Sequence, residues 1–205
     1  MIHPDTEVRF ISPEKGYGLV ATKLIPKGTI TWVQCELDQI FARDKVENLN
    51  PIVKKYLETY SFTNKDGDLV LCSDNGKFVN HSFKPSCFST AYDFEIAIRD
   101  IHPGEELTDD YGYLNVEETF DVIDEGTARK TVYPDDILTF YKEWDELIRI
   151  NAPKVLETKQ VLLDLIPKYT WKEFCNGIDN PSQMKSIKEC YYDQKRTLNS
   201  VSHQI

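Results

Sequence analysis

The sequence predicts an α+β protein, with a strand-rich amino-terminal part followed by an all-helical segment. Three observations carry this. Runs of β-branched and aromatic residues, broken by Gly and Pro, occupy most of the chain from Val8 to about residue 120. One amphipathic helical pattern interrupts them between Asp44 and Tyr60, and after Tyr133 helical spacing takes over altogether. The chain thus divides into a first domain over residues 1–120, with a helical insert at about 44–60, and a helical extension over 121–205.

Taken in order, "EVRFIS", "YGLVATKLI" and "GTITWVQ" read as three strands, with turns supplied by "PEKG" and "IPKG". In "DKVENLNPIVKKYLETY", Ile52, Val53, Tyr56, Leu57 and Tyr60 recur at helical spacing, Pro51 suits a first turn, and Asn50 or Asn48 can cap it. Strands resume in "DLVLCS", "KFVNHS", "STAYDFEIAIRDI" and "EELTDDYGY", with breaks at "KDG", "SDNG" and "HPG". Beyond Tyr133, four stretches read as helices that each open near a Pro or Thr: "PDDILTFYKEWDELIRI", "APKVLETKQVLLDLI", "TWKEFC" and "PSQMKSIKECYYDQKRTL". With no linker in view, they are expected to pack on the strand part and to fray after Asn199.

Composition narrows the function. At 205 residues and 40% hydrophobic content the chain can build a real core. A formal charge of −10 argues against direct nucleic-acid binding, which needs a basic face, and matches a basic peptide partner better. Five cysteines, at positions 35, 72, 87, 175 and 190, form no CxxC pair, so neither a zinc ribbon nor a disulfide framework is read and a reducing compartment is expected. The first residues show no basic start followed by an apolar stretch, and no run of about 18 apolar residues occurs. An intracellular location, cytoplasmic or nuclear, is therefore expected, with no membrane partner; nothing in the pattern assigns an oligomeric state.

Three motifs could carry chemistry, and each has a plain structural alternative. In "KGYG", two glycines flank an aromatic between strands, which allows close backbone approach to a ligand; ordinary turn glycines would look the same. In "KFVNHSFKPSC", Asn80-His81-Ser82 lacks companions for a metal, since His3, His102 and His203 stand near the chain ends or in a turn. Nor is it a nucleophile pair, because neighbours on a strand point to opposite faces. A polar turn bonding its own backbone remains open. In "HPGEELTDDYGY", Asp109 and Asp110 could form a hydrolase pair, but adjacent strand carboxylates diverge and such doublets are commonly solvated.

In this order and spacing the three motifs resemble the SET domain, the family of S-adenosylmethionine-dependent protein lysine methyltransferases. The resemblance covers roughly Glu7 to Tyr113. It implies short β-sheets of β-clip type around a knot-like core, and S-adenosyl-L-methionine as cofactor with no metal. It further implies cofactor contacts from Lys15, Gly16, Tyr17, Gly18, Asn80, His81 and Tyr111, with the glycine element against the methionine portion, Asn80-His81 at the amine and adenine, and His81 serving by backbone and shape. Tyr111 matches the catalytic tyrosine; Tyr60, Phe62, Asp109 and Tyr113 are the substrate-channel candidates.

The chain departs from the family pattern at Phe83, where Cys is frequent, and at Ser86, where Asn is common. Asp109 stands where many members carry Phe or Tyr, and no cysteine-rich zinc segment follows. The helices after Tyr133 are expected to replace that segment as a lid, with Phe120, Tyr133, Phe140 or Trp144 as stacking residues.

The implied chemistry suits these side chains. With a pKa of ~10.4, only about one lysine amine in 2,500 is neutral near pH 7, a handicap of roughly 4.6 kcal/mol that an aromatic, water-excluding channel and a nearby sulfonium would reduce. The expected partner is a protein substrate with its lysine in a basic segment. Two competing readings are a catalytically inactive SET-like module that binds a protein partner, and a hydrolase built on Asp109 and Asp110.

Overall fold

A computed structural model of the chain describes residues 1–193. The strands are β1 (Thr6–Ser12), β2 (Gly16–Ala21), β3 (Ile30–Val33), β4 (Gln39–Phe41), β5 (Ser61–Thr63), β6 (Leu69–Leu71), β7 (Asn80–His81), β8 (Cys87–Ser89), β9 (Phe94–Ala97), β10 (Glu106–Asp109), β11 (Phe120–Asp121) and β12 (Thr131–Val132). The helices are α1 (Arg43–Val46), α2 (Pro51–Tyr60), α3 (Asp136–Glu157) and α4 (Lys168–Asp179). They form a four-stranded sheet in the order β1-β2-β10-β7, two three-stranded sheets in the orders β3-β9-β8 and β4-β6-β5, and a β11-β12 hairpin.

One pairing positions the site. β10 runs antiparallel to β2 but parallel to β7, with Thr108 opposite Asn80 and Asp109 opposite His81. A parallel pair cannot be closed by a tight turn. The chain between them instead leaves for another sheet, making β8 and β9 before it returns. The glycine element on β2, Asn80-His81 on β7 and the Glu106–Asp109 strand are thereby laid side by side.

The insert is helical, but in two pieces. Asn50 accepts a hydrogen bond from the Ile52 backbone and Pro51 opens α2, as the sequence predicts. The apolar spacing does not mark the buried face: Leu57 is buried, whereas Ile52 is 81% exposed and Val53 and Tyr56 face solvent. Helical periodicity reports the period of a segment, not which side finds a partner.

The extension differs from the all-helical expectation in three ways. The first predicted helix and the start of the second are one, the 22-residue α3, which passes through Pro153 and ends at Glu157; of the rest only a 3₁₀ turn at Leu163–Leu165 forms. Proline removes one N–H donor, yet Ile148, Ala152 and Val155 on the same face stay buried, so packing outweighs the local break. The last predicted helix forms only short 3₁₀ turns at Pro181–Gln183 and Ile187–Cys190, the second held by a capping box of Ser186 and Glu189 and by Asp145, which accepts from Ser186 Oγ (2.6 Å) and the Ile187 N–H (2.7 Å). Residues 194–198 of that prediction, and the fraying expected after Asn199, lie outside the described residues. Finally, β11 and β12 place a hairpin within the extension, and β4 and β5 are strands too short to stand out in sequence.

The helices cover the β3-β9-β8 sheet. Phe174 of α4 meets Phe94 edge-on at 4.9 Å, within a cluster that includes Ile30, Val33, Ile96, Ala152 and Val155. A second cluster joins Phe88 and Tyr113 to Ile137, Trp144, Ile148 and Ile187. Each such large side chain removed from water contributes about 1.5–3 kcal/mol. No helix among the described residues is long and apolar enough to cross a membrane.

Candidate functional site

The site begins where β2 meets the ends of β7 and β10. Gly18 is a close-approach position: a Cβ there would lie 2.4 Å from Glu106 Oε1 and 2.8 Å from Asn80 Nδ2. Asn80 Nδ2 donates to Glu106 Oε1 (2.6 Å) and to the Tyr17 carbonyl (3.1 Å), while Lys15 Nζ lies 3.3 Å from Glu106 Oε2. Glu106 thus ties Lys15, Gly18 and Asn80 together, a role the sequence reading missed. The signal was present in the Glu105-Glu106 doublet. On a strand its members point to opposite faces, and Glu105 does turn outward to Arg99 (2.9 Å) while Glu106 turns to the site.

His81 does more than shape this corner. Its Nδ1 accepts a hydrogen bond from the Tyr111 N–H (3.0 Å), which puts the ring proton on Nε2. Nε2 is buried and has no hydrogen-bond partner among the described residues. The ring stands edge-on to Phe83, Tyr111 and Phe120, at 4.5, 5.4 and 5.9 Å. Burial, helped by the positive charges of Arg129 and Lys15, lowers the imidazole pKa to about 4.

This state has a measurable consequence. The unfolded chain, with an ordinary value of 6.5, takes up the proton first as pH falls. The stability that neutral His81 contributes is therefore complete above pH 6.5 and is lost as pH drops toward 4. His81→Asn keeps an acceptor near the Nδ1 position, and it is expected to flatten the fall of melting temperature across that window. An unchanged slope in thermal denaturation at stepped pH would contradict the neutral assignment.

Among the described residues, the cover over this corner comes from the β11–β12 hairpin region. Glu125, between β11 and β12, accepts from Ser82 Oγ (2.9 Å) and the Phe83 N–H (2.8 Å), and Lys84 Nζ donates to the Glu125 carbonyl (2.5 Å). The hairpin region thereby docks on the residues following His81. Of the four stacking candidates, Phe120 alone is in ring contact with both His81 and Tyr111 (6.4 Å). Trp144 is buried against Tyr113 (5.2 Å), Phe140 stacks on Arg129 (4.5 Å), and Tyr133 is exposed. α3 carries Trp144 against Phe88 and Tyr113, with Phe140 packed on Trp144, rather than over His81.

Next to this corner lies a cavity of about 790 Å³. Tyr60, Phe62, Asp109, Tyr111 and Tyr113 all line it, so the tertiary structure brings the channel candidates together. Their roles differ. Phe62 packs edge-on to Trp32 (6.0 Å) and Tyr60 to Phe78 (5.6 Å), forming aromatic walls. Tyr113 is only 1% exposed, its hydroxyl accepts from the Ser89 N–H (3.1 Å) and its ring sits 5.0 Å from Phe88, so it backs the wall from the core. Tyr111 donates its hydroxyl to the Val79 carbonyl (2.6 Å), and burial followed by the charges of Asp109 and Glu95 raises its pKa, keeping it a neutral phenol.

Asp109 does not point away from the cavity, nor is it solvated. It is 2% exposed and faces Glu95 of β9, itself 6% exposed, close enough for a hydrogen bond between the carboxyl groups. Asp109 Oδ1 accepts from the Asp110 N–H (2.9 Å) and Oδ2 from Ser89 Oγ (3.3 Å); Glu95 Oε2 accepts from Thr31 Oγ1 (3.2 Å). Burial raises both, and the nearby Glu95 charge raises Asp109 further, well above the usual carboxylate range. Glu95 was absent from the sequence reading because nothing in an alternating strand marks an inward acid as paired. Asp110 diverges from Asp109, as strand geometry requires, and joins Arg129 and Asp136 instead. The doublet therefore does not form the two-carboxylate arrangement of the hydrolase reading.

Among the described residues no group of three or more His, Cys, Asp or Glu side chains is arranged to hold a metal. Residues 16–112 match the sequence model of the SET domain. No curated protein matches the chain.

Proposed function

We propose that this SET-domain protein, its domain spanning residues 16–112, is an S-adenosylmethionine-dependent methyltransferase whose acceptor is a protein lysine ε-amine. One observation carries the reading. Tyr111 belongs at once to the His81 corner, through its backbone and ring, and to the aromatic cavity, through its side chain. A transferase for two substrates needs such a shared wall, because donor and acceptor must meet from different sides at one point.

The residues present fit the cofactor. The Nε2–H of His81 is a buried donor lacking a partner among the described residues, suited to an acceptor on a heterocycle, and Phe120 offers a partly exposed ring beside it. A Cβ at Gly16 would meet nothing within 4 Å, so that edge of β2 is open. Lys15, Gly16, Tyr17, Gly18, Asn80, His81 and Tyr111 would hold the molecule. When bound, it supplies an electrophilic methyl group on a sulfonium.

The chain's own residues then act on the amine. Tyr60, Phe62 and Trp32 replace water around it with ring surface, which favours its neutral form. The Tyr111 hydroxyl, anchored on Val79, orients it, and held geometry of this kind contributes several kcal/mol. Burial and the Glu95 charge push the Asp109 pKa well up, which favours its neutral form and lessens the negative charge the pair presents to the amine. At the cavity mouth Glu58, Asp66, Asp93, Glu117 and Glu118 are exposed, against Lys65 as an exposed cation, which supports a substrate lysine set in a basic segment.

The buried acids also favour a second reading, a non-catalytic module that binds a cationic side chain. Incubation with labelled S-adenosylmethionine and basic proteins separates the two: transfer to lysine, weakening as ionic strength rises, is the expected result. A folded protein that by calorimetry binds neither S-adenosylmethionine nor its demethylated product would overturn the proposal.

A further inference from the structure

The chain is clamped at the wall of the cavity just before residues 194–205. Asn115, buried and held at a φ of 53°, donates through Nδ2 to the carbonyls of Thr63 (3.0 Å) and Cys190 (2.8 Å), and its Oδ1 accepts from the Tyr192 N–H (2.9 Å). Thr63, Asn115 and Cys190 all line the cavity. The Tyr192 ring completes the clamp. It lies 5.5 Å from the Arg43 guanidinium and fills the space at Gly67, where a Cβ would come within 2.5 Å of it. None of these contacts takes part in the chemistry described above, yet together they fix the point from which the following residues leave.

Those residues suit the mouth of the cavity. Residues 194–205, "QKRTLNSVSHQI", carry Lys195 and Arg196 and no acid. At the mouth stand Glu58, Asp66, Asp93, Glu117 and Glu118, of which Glu117 alone has an ion-pair partner among the described residues, Arg43. Unlike charges so placed attract. From Cys190 on the cavity wall to Lys195 the extended chain reaches ~17 Å, more than a compact space of about 790 Å³ is wide. A segment tethered by so short a link is present at an effective concentration in the millimolar range, far above that of a separate protein at micromolar concentration.

We infer that residues 194–205 dock across the acidic mouth and present Lys195 to the cavity, which makes this segment the chain's own acceptor and a competitor of other basic substrates. The acceptor role of Lys195 rests on the transferase reading; the docking does not. In the transfer the Lys195 ammonium gives one proton to water and its neutral nitrogen forms the bond to the methyl carbon, while the carbon–sulfur bond breaks with its electron pair going to sulfur. The methylated nitrogen keeps its positive charge, so the attraction to the mouth survives the modification.

Two measurements on the full chain test this. Incubated with labelled S-adenosylmethionine and no other protein, the chain is expected to carry label on Lys195, located by peptide mass spectrometry. Its first-order rate constant should stay within about twofold over a hundredfold range of protein concentration, because the tether and not collision sets the encounter. Lys195→Arg should lose that label. Label confined to other lysines, or a rate constant that rises in proportion to protein concentration, would overturn the inference. The second measurement needs no cofactor and is calorimetric titration with a synthetic peptide of residues 194–205. The double variant Lys195→Ala, Arg196→Ala leaves every described residue unchanged. It is expected to bind the peptide about fivefold or more tighter than the parent, whose own segment competes. Equal affinities, or no binding to the double variant in the millimolar range, would likewise overturn the inference. The two proposals fail separately: transfer to added basic proteins with Lys195 unmodified removes only this one, whereas competition at the mouth without cofactor binding removes the transferase reading and leaves the docking.

Discussion

Replacing Arg129 by methionine is expected to lower the melting temperature by roughly 6–20 °C, the largest effect of any single side chain outside the apolar core. The guanidinium bridges the carboxylates of Asp110 and Asp136, both buried, and lies 4.4 Å above the Phe83 ring and 4.5 Å above that of Phe140. Burial pushes the Asp110 carboxyl up and Arg129 pulls it back, so removing the cation leaves two unpaired acids out of water. Breaking a buried ion pair from one side costs about 3–5 kcal/mol. At about 2–4 °C per kcal/mol for a chain of this size, that produces the stated drop. Arg129→Lys should recover little, because a single ammonium cannot fork between two carboxylates while lying flat between rings. Adding Asp136→Asn and Asp110→Asn to Arg129→Met should recover most of it. Differential scanning calorimetry is the measurement, and a fall of less than 2 °C for Arg129→Met would contradict the account. The effect would reach the site as well, since Asp110 Oδ1 accepts from the Gly112 N–H (3.0 Å) and caps the turn that carries Tyr111.

Tyr111→Phe is expected to reduce methyl transfer about a hundredfold while leaving affinity for the cofactor nearly unchanged. The ring, its edge contact with His81 and the backbone bond to Nδ1 survive the change; only the hydroxyl goes. That hydroxyl is the polar group by which the shared wall can orient an amine. Its removal also strips the Val79 carbonyl of its donor, a cost of about 1–3 kcal/mol, so transfer should be measured well below the variant's own melting temperature. Cofactor binding by calorimetry within about threefold of the parent, together with the loss of transfer, is the expected pattern. Retention of full transfer would show that Tyr111 is only a packing residue.

Much of the site could be read from residue type and spacing, and the limits of that reading have physical causes. Strand alternation correctly sent Asp109 and Asp110 to different surroundings, and it also contained the separation of Glu105 from Glu106. It could not show that Glu95 would face Asp109, because that meeting depends on how two sheets lean together around a cavity. Nor could it show that Phe120 and Glu125 of the hairpin region, rather than α3, would cover His81. Tyr113 and Trp144 illustrate the same limit from the other side: an aromatic near a motif can wall a cavity or fill a core, and the backbone path decides which.

Local chemistry determined which segments would bend, extend or coil, for example the Asn50–Pro51 start of α2 and the turns that break the strands, since propensity and capping act over a few neighbouring residues. That the glycine element, Asn80-His81 and Tyr111 belong together was implied by the resemblance to the SET domain, not by alternation or local propensity. Only the folded chain decided what faces what: the parallel β7–β10 register, the exposed side of α2, the continuity of α3 through Pro153 and the burial of two acids against one cavity. These depend on contacts between residues far apart in the chain, whose packing energy outweighs local preference and leaves no periodic trace in the residues themselves.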